Sequence, residues 1–227
     1  MIPALRNSAA HVFVASLEVP QPEPDDLNHL FRVLRLRDGD EVTASDGAGS
    51  WRVTCVRGGA LVPLGDVVRE LPQRHLSIAA AIPKGDRVEW MVQKLTELGV
   101  AEIVLLHCSR SVVRWDGERA PKQMARLARI AREAAMQSRR VYLPALRGPV
   151  AFADAAATPG AVLADPDASE VFGPLMEPEA TMVLIGPEGG FHPDELSVPV
   201  LRKRLVNTVL RVETAAIAAA SVMLTGC

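Results

Sequence analysis

The stretch 76-LSIAAAIPKGDRVEWMVQKLTELGVAEIVLLH-107 decides the fold class. Its first seven residues are apolar but for Ser77 and too few for a helix. A helical period follows from Asp86 to Leu98, with Val88, Met91, Val92, Leu95 and Leu98 on one stripe, and Gly99 stops it. Residues 101-AEIVLLH-107 then resume the apolar pattern. Strands this short and this apolar read as parallel strands covered on both faces, and their alternation with helices marks an α/β unit. The alternation continues downstream with a basic helix from about Pro121 to Ser138, 161-AVLA-164, 181-TMVLI-185, a helix from Pro193, 205-LVNTVL-210, and a final helix from about Glu213.

Upstream the pattern changes. The segment 11-HVFVAS-16 alternates like a strand, 25-DDLNHLFRVLRL-36 places Leu27, Leu30, Phe31 and Leu34 on one helical face, and two strand-like runs in 41-EVTASDGAGSWRVTCV-56 flank a hairpin turn at Asp46–Gly49. Gly58-Gly59 sets up another turn before 60-ALVPL-64. Short strands around one small helix predict a compact β-barrel, and 71-LPQR-74 marks the border between a domain of residues 1–72 and one of residues 73–227.

The composition narrows the class further. Of 227 residues, 48% are hydrophobic and 23% charged, which rules out disorder. The apolar runs 76–82 and 215–224 fall short of the roughly 20 residues that cross a bilayer. The first residues lack a basic stretch followed by an apolar core, so a cytoplasmic protein is expected. Cys55, Cys108 and Cys227 are widely spaced and outside any CxxC pair, and read as ordinary thiols with no metal site.

The net charge of −2 hides a partition: residues 73–147 hold 14 basic and 7 acidic side chains, whereas the segments on either side are acidic. Within 109-SRSVVRWDGERAPKQMARLARIAREAAMQSRR-140, arginine supplies eight of nine positive charges. Such a run is either a solvated helix face or a polyanion surface, and the arginine preference favours phosphate or base recognition. Trp115 lies inside this island, where it could stack a base.

The sharpest local signal is 181-TMVLIGPEGGFHPDEL-196: an apolar strand, a glycine-rich turn at 186-GPEGG-190, and a helix opened by Pro193. Glycine lets a ligand approach the backbone at a strand's carboxyl end, although the same turn could be a plain tight connection. It has neither GxGxxG nor GxxxxGK[ST] spacing. In 210-LRVETAAIAAASVML-224, Arg211 and Glu213 precede an almost wholly apolar helix that fills a core or packs on a partner subunit. His107 and His192 read as structural or capping residues, Met124 and Met136 as packing residues, and no nucleophile or acid–base set declares itself.

Five blocks, 29-HLFRVLRLRDGDEV-42, 84-KGDRVEWMVQKLTELGV-100, 133-EAAMQSRRVYLP-144, 184-LIGPEGGFHPDEL-196 and 209-VLRVETAAIAA-219, together resemble the small-subunit ribosomal RNA methyltransferase E family, of the SPOUT class. They occur in the family's order and cover nearly the whole chain. The resemblance implies an N-terminal PUA-like β-barrel that helps bind RNA and a C-terminal α/β domain with a parallel sheet and a deep trefoil knot. It implies S-adenosyl-L-methionine as cofactor, a homodimer through knot-domain helices, small-subunit ribosomal RNA or the assembled subunit as partner, no membrane, and methylation of N3 of a uridine.

Carried onto this chain, the cofactor loops are Leu163, Ala164 and Asp165; Ile185, Gly186, Pro187, Glu188, Gly189 and Gly190; and Leu210, Arg211, Val212, Glu213, Thr214 and Ala215. Arg6 and Arg211 are the candidates for stabilising charge on the uracil, with an ion pair from Arg211 to Glu213 or Glu188 as the alternative. Arg32, Arg35, Arg110, Arg114, Arg139 and Arg140 are assigned to phosphates. Two departures stand out: Val212 where the family has threonine, and Arg139 where it often has glycine. Two rivals stay open: a SPOUT enzyme acting on a ribose 2′-hydroxyl, guanine N1 or another RNA target, and a non-catalytic ribosome-assembly factor.

Overall fold

The computed structural model describes residues 2–71, 74–173 and 180–224. Cys227 and part of the expected border at 71–74 lie outside the described residues. The chain forms two compact units, Met1–Gln73 with Arg132–Leu143, and Arg74–Ala131 with Pro144–Cys227. The sequence division put all of 132–143 in the second domain, whereas the structure puts it in the first.

In the first unit, α1 (Pro3–Asn7) leads into β1 (Ala10–Phe13), then α2 (Pro24–Asn28), which runs on into a π-helical turn at His29–Val33. β2 (Glu41–Ser45), β3 (Ser50–Arg57), β4 (Ala60–Pro63) and β5 (Val68–Arg69) complete it. β1 pairs parallel with β2, and β3 pairs antiparallel with β2, β4 and β5. Among the described residues no ladder joins β1 to β4, so hydrogen bonds do not close this sheet into a ring. Gly47 and Gly49 take positive φ at the β2–β3 turn, and Gly58 and Gly59 do so at the next. One core is built on Val12, Leu30, Val42 and Ala44, and a smaller one on Leu5, Trp51 and Val141. The added segment is bound in by polar contacts: Arg132 donates 3.0 Å to Asp26 Oδ1 and 3.1 Å to the Phe13 carbonyl.

In the second unit, β6 (Ser77–Ala81), α3 (Arg87–Leu98), β7 (Glu102–His107), α4 (Arg119–Gln137, whose end belongs to the first unit), β8 (Ala145–Ala151), α5 (Phe152–Ala156), β9 (Ala161–Ala164), β10 (Met182–Ile185), α6 (Pro193–Leu196), β11 (Leu201–Lys203) and α7 (Val212–Leu224) follow in order. The sheet runs β11-β9-β10-β6-β7-β8, parallel throughout. β6 and β10 are buried at every position, as the unbroken apolar runs require. Gly99 at φ 97° ends α3, with its own amide donating to Thr96 and the Val100 amide to Leu95, a Schellman close.

One expectation fails and one strand went unread. Residues 205–210 form no strand: the strand is Leu201–Lys203, paired with β9, and the apolar run after it is largely exposed, Val209 at 87%. β8 escaped notice because 145-ALRGPVA-151 carries Gly148-Pro149. It sits at the sheet edge, where proline is tolerated, and a side chain at Gly148 would meet Leu105 at 2.8 Å.

Candidate cofactor cavity

Three loops at the carboxyl ends of β9, β10 and β11 enclose a cavity of about 400 Å³ within the second unit. This is the size and place expected of a small-molecule site in a parallel sheet. Ala164 and Asp165 come from the first loop, Ile185 to Gly190 from the second, and Leu205, Val206, Thr208, Val209, Leu210, Val212 and Ala215 from the third.

The glycine turn is built for close approach. The Gly190 amide donates 2.8 Å to the Pro187 carbonyl, and Gly190 takes φ 70°. Gly186 has no room for a side chain, since a Cβ would stand 2.9 Å from the Phe191 ring, itself packed on Phe152. α6 then starts on a capping box: His192 Nδ1 accepts from the Asp194 amide, and Glu195 Oε2 accepts from the His192 amide at 2.7 Å. Glu195 Oε1 also accepts from the Ser109 amide at 2.8 Å, fixing the loop after β7. Burial and the Glu195 charge push the Cys108 thiol up to about 12, so it stays protonated and is no nucleophile.

Most sequence-assigned cofactor residues meet at this cavity, with four exceptions. Leu163 is buried in β9, and Arg211, Glu213 and Thr214 lie off the wall. The alternative pairing of Arg211 is also overturned, because both carboxylates proposed for it belong to Arg87. Arg87 Nη2 lies 3.5 Å from Glu188 Oε1, Nη1 lies 3.5 Å from Glu213 Oε1, and Nε donates 3.0 Å to the Lys84 carbonyl. Sequence reasoning missed Arg87; its place in 84-KGDR-87, between a strand and a helix, was the available signal. Glu213 is buried, and its Oε2 has no hydrogen-bond partner. Asp165 is also buried, held by the Asp167 amide at 3.0 Å and by Arg202 at 3.4 Å.

The arginines assigned to RNA divide. Arg32, Arg35 and Arg114 are exposed. Arg140 is only 9% exposed, burial lowers it to about 10, and its carbonyl accepts from His11 Nε2 at 3.0 Å, so it is not offered to a phosphate. Arg139 takes φ 60° and donates 2.9 Å to the Ser8 carbonyl. That left-handed backbone is one that glycine takes without strain, and the Arg139 side chain, half-buried, braces the first unit. Arg110 donates from Nη1 to the carbonyls of Gly189 (3.0 Å) and Phe191 (3.2 Å) and so belongs to the cavity. Arg6 is exposed on α1 of the first unit. Trp115 is a core residue and cannot stack a base.

The chain matches an RNA methyltransferase domain over residues 69–224 and an RNA methyltransferase PUA domain over 22–58. It is 31% identical over 212 residues to the Mycobacterium bovis ribosomal RNA small subunit methyltransferase E, covering 85% of this chain and 80% of that one. The chain belongs to the small-subunit ribosomal RNA methyltransferase E family. It is therefore an RNA methyltransferase. A Neisseria gonorrhoeae family member solved with S-adenosyl methionine shares 26% identity at a TM-score of 0.80, covering 95% of this chain and 97% of that one. A Legionella pneumophila methyltransferase with the same bound cofactor shares 30% identity at a TM-score of 0.79, covering 93% and 95%. The PUA match falls inside the first unit, and the methyltransferase match spans the second unit, which carries the cavity, together with the segment 132–143 of the first.

Proposed function

We propose that the protein methylates N3 of a uridine in small-subunit ribosomal RNA, with S-adenosyl-L-methionine as donor. The observation that carries this reading is the convergence of three strand-end loops, the glycine turn among them, on one cavity of about 400 Å³. The residues fit the cofactor. Gly190 leaves the backbone open to it, Leu210, Val212 and Ala215 give apolar wall, and Glu188 with Asp165 suits a cationic ligand. When bound, the cofactor supplies an electrophilic methyl group on a positively charged sulfur.

The chain's own part is to bind and orient, which is where most of the acceleration in such transfers arises. Arg87 ties the glycine turn to the first turn of α7, so two walls of the cavity are held together by one guanidinium. Exposed Arg32, Arg35 and Arg114 are assigned to phosphates. The return of the chain through β11 to α7 behind the same cavity supports a trefoil knot. A homodimer through helices of this unit and a cytoplasmic site of action complete the reading.

The test is transfer of label from S-adenosyl-L-methionine to purified small ribosomal subunits lacking the native modification, followed by nucleoside analysis. The expected product is 3-methyluridine. Label on a ribose hydroxyl or on guanine keeps the class and overturns the target. Absence of both label and cofactor binding overturns the cavity assignment.

A further inference from the structure

We propose that Arg110 is a catalytic residue, holding the uracil oxygens as N3 gives up its proton; this rests on the reading above that uridine N3 is the target atom. Among the described residues lining the cavity, Arg110 is the one cation. No described carboxylate pairs with it, since Glu188 on the same wall faces Arg87 and Asp165 faces Arg202. Its guanidinium is nevertheless held in place. Nη1 donates to two carbonyls of the segment 189–191, while Nε and Nη2 have no partner among the described residues. The Arg110 stem passes close to the turn, where a Cβ on Gly189 would stand 3.7 Å from Arg110 Cβ. A planar cation anchored at one nitrogen, with the others uncommitted, presents fixed donors to an oxygen that gains charge during reaction.

The chemistry needs such a group. The N3–H bond of uracil breaks heterolytically, the proton goes to water, and the electron pair left on N3 spreads onto O2 and O4; N3 would then use that pair to form the bond to the methyl carbon as the methyl–sulfur bond breaks, its own pair staying on the sulfur of the departing S-adenosylhomocysteine. Three carboxylates line the cavity, Asp165, Asp167 and Glu188, and disfavour that anion. Arginine answers them with a positive charge and a planar set of donors. Arg211, the sequence-based candidate for this role, lies off the cavity wall.

Two measurements test this. In the first, 5-fluorouridine is placed at the mapped position of a small-subunit RNA fragment bound with S-adenosylhomocysteine, so that no turnover occurs, and its fluorine resonance reports N3 ionisation. The wild-type protein should lower the pH of ionisation below that of free RNA, whereas Arg110→Ala should leave it at or above the free-RNA value and Arg110→Lys should fall between. In the second, Arg110→Ala should slow single-turnover transfer at saturating cofactor by about a hundredfold, with a rate that climbs with pH where the wild type is flat. An Arg110→Ala protein that only needs more cofactor, with its saturated rate and fluorine titration unchanged, overturns the proposal and makes Arg110 a brace for the turn. Wild-type protein that forms no 3-methyluridine overturns the proposed function itself, and this inference with it.

Discussion

Arg87 shows how a single guanidinium can serve packing and site together. Glu213 is buried with one oxygen facing Arg87 and the other without a partner, so removing the cation strands a negative charge in the second unit. Arg87→Ala should therefore destabilise the protein by about 1–3 kcal/mol, less than a fully buried pair because Arg87 is one-third exposed. Adding Glu213→Gln should recover part of the loss, measured by urea denaturation. His11 in the first unit tests burial differently. Its Nε2 donates to the Arg140 carbonyl, its Nδ1 accepts from the Thr43 hydroxyl at 2.8 Å, and burial lowers its pKa from 6.5 to about 4. The unfolded chain takes up a proton near pH 6.5 while the folded one stays neutral. Stability is thus full above pH 6.5, falls as pH drops from 6.5 to about 4, and levels off below that. The loss should reach roughly 3 kcal/mol and should vanish from the pH profile of His11→Gln. Arg140→Ala belongs with this network and should lower stability rather than phosphate affinity.

At the scale of elements, the glycine turn and the close of α3 are the sensitive places. Gly186→Ala drives a methyl into the Phe191 ring, which is buried and backed by Phe152. A cost of about 1–3 kcal/mol is expected from such overpacking, along with weaker cofactor binding by calorimetry. Gly99→Ala forces a side chain to φ 97° and should cost about 1–2 kcal/mol without touching the cavity. These elements were legible because their signals are local. The strands 76–82 and 181–185, the stripe of α3 from Val88 to Leu95 and the stop at Gly99 follow from periodicity and steric preference alone, whereas Leu98, read on the same stripe, is exposed at the helix end. Residues 205–210 were misread for an equally physical reason. Apolar residues can pave a cavity as well as fill a strand, and only the register of Leu201–Lys203 on β9 shows which.

Across the whole molecule, charge decides partners. Reversing Arg32 and Arg35 to Glu should weaken RNA binding across sequences and reduce the salt dependence of affinity by about one unit per lost phosphate contact, leaving cofactor affinity unchanged. No helix among the described residues is long and apolar enough to cross a membrane. The sequence by itself determined the α/β class, the glycine turn, the basic island and the family, since each depends on residue type and spacing along the chain. The tertiary structure alone decided the rest. It gave Glu188 and Glu213 to Arg87, placed Arg110 on the cavity, took Arg140 from the RNA surface, and moved residues 132–143 into the first unit. An arginine's role depends on which carbonyl or carboxylate folding brings within about 3 Å of its guanidinium, and those partners stand far along the chain.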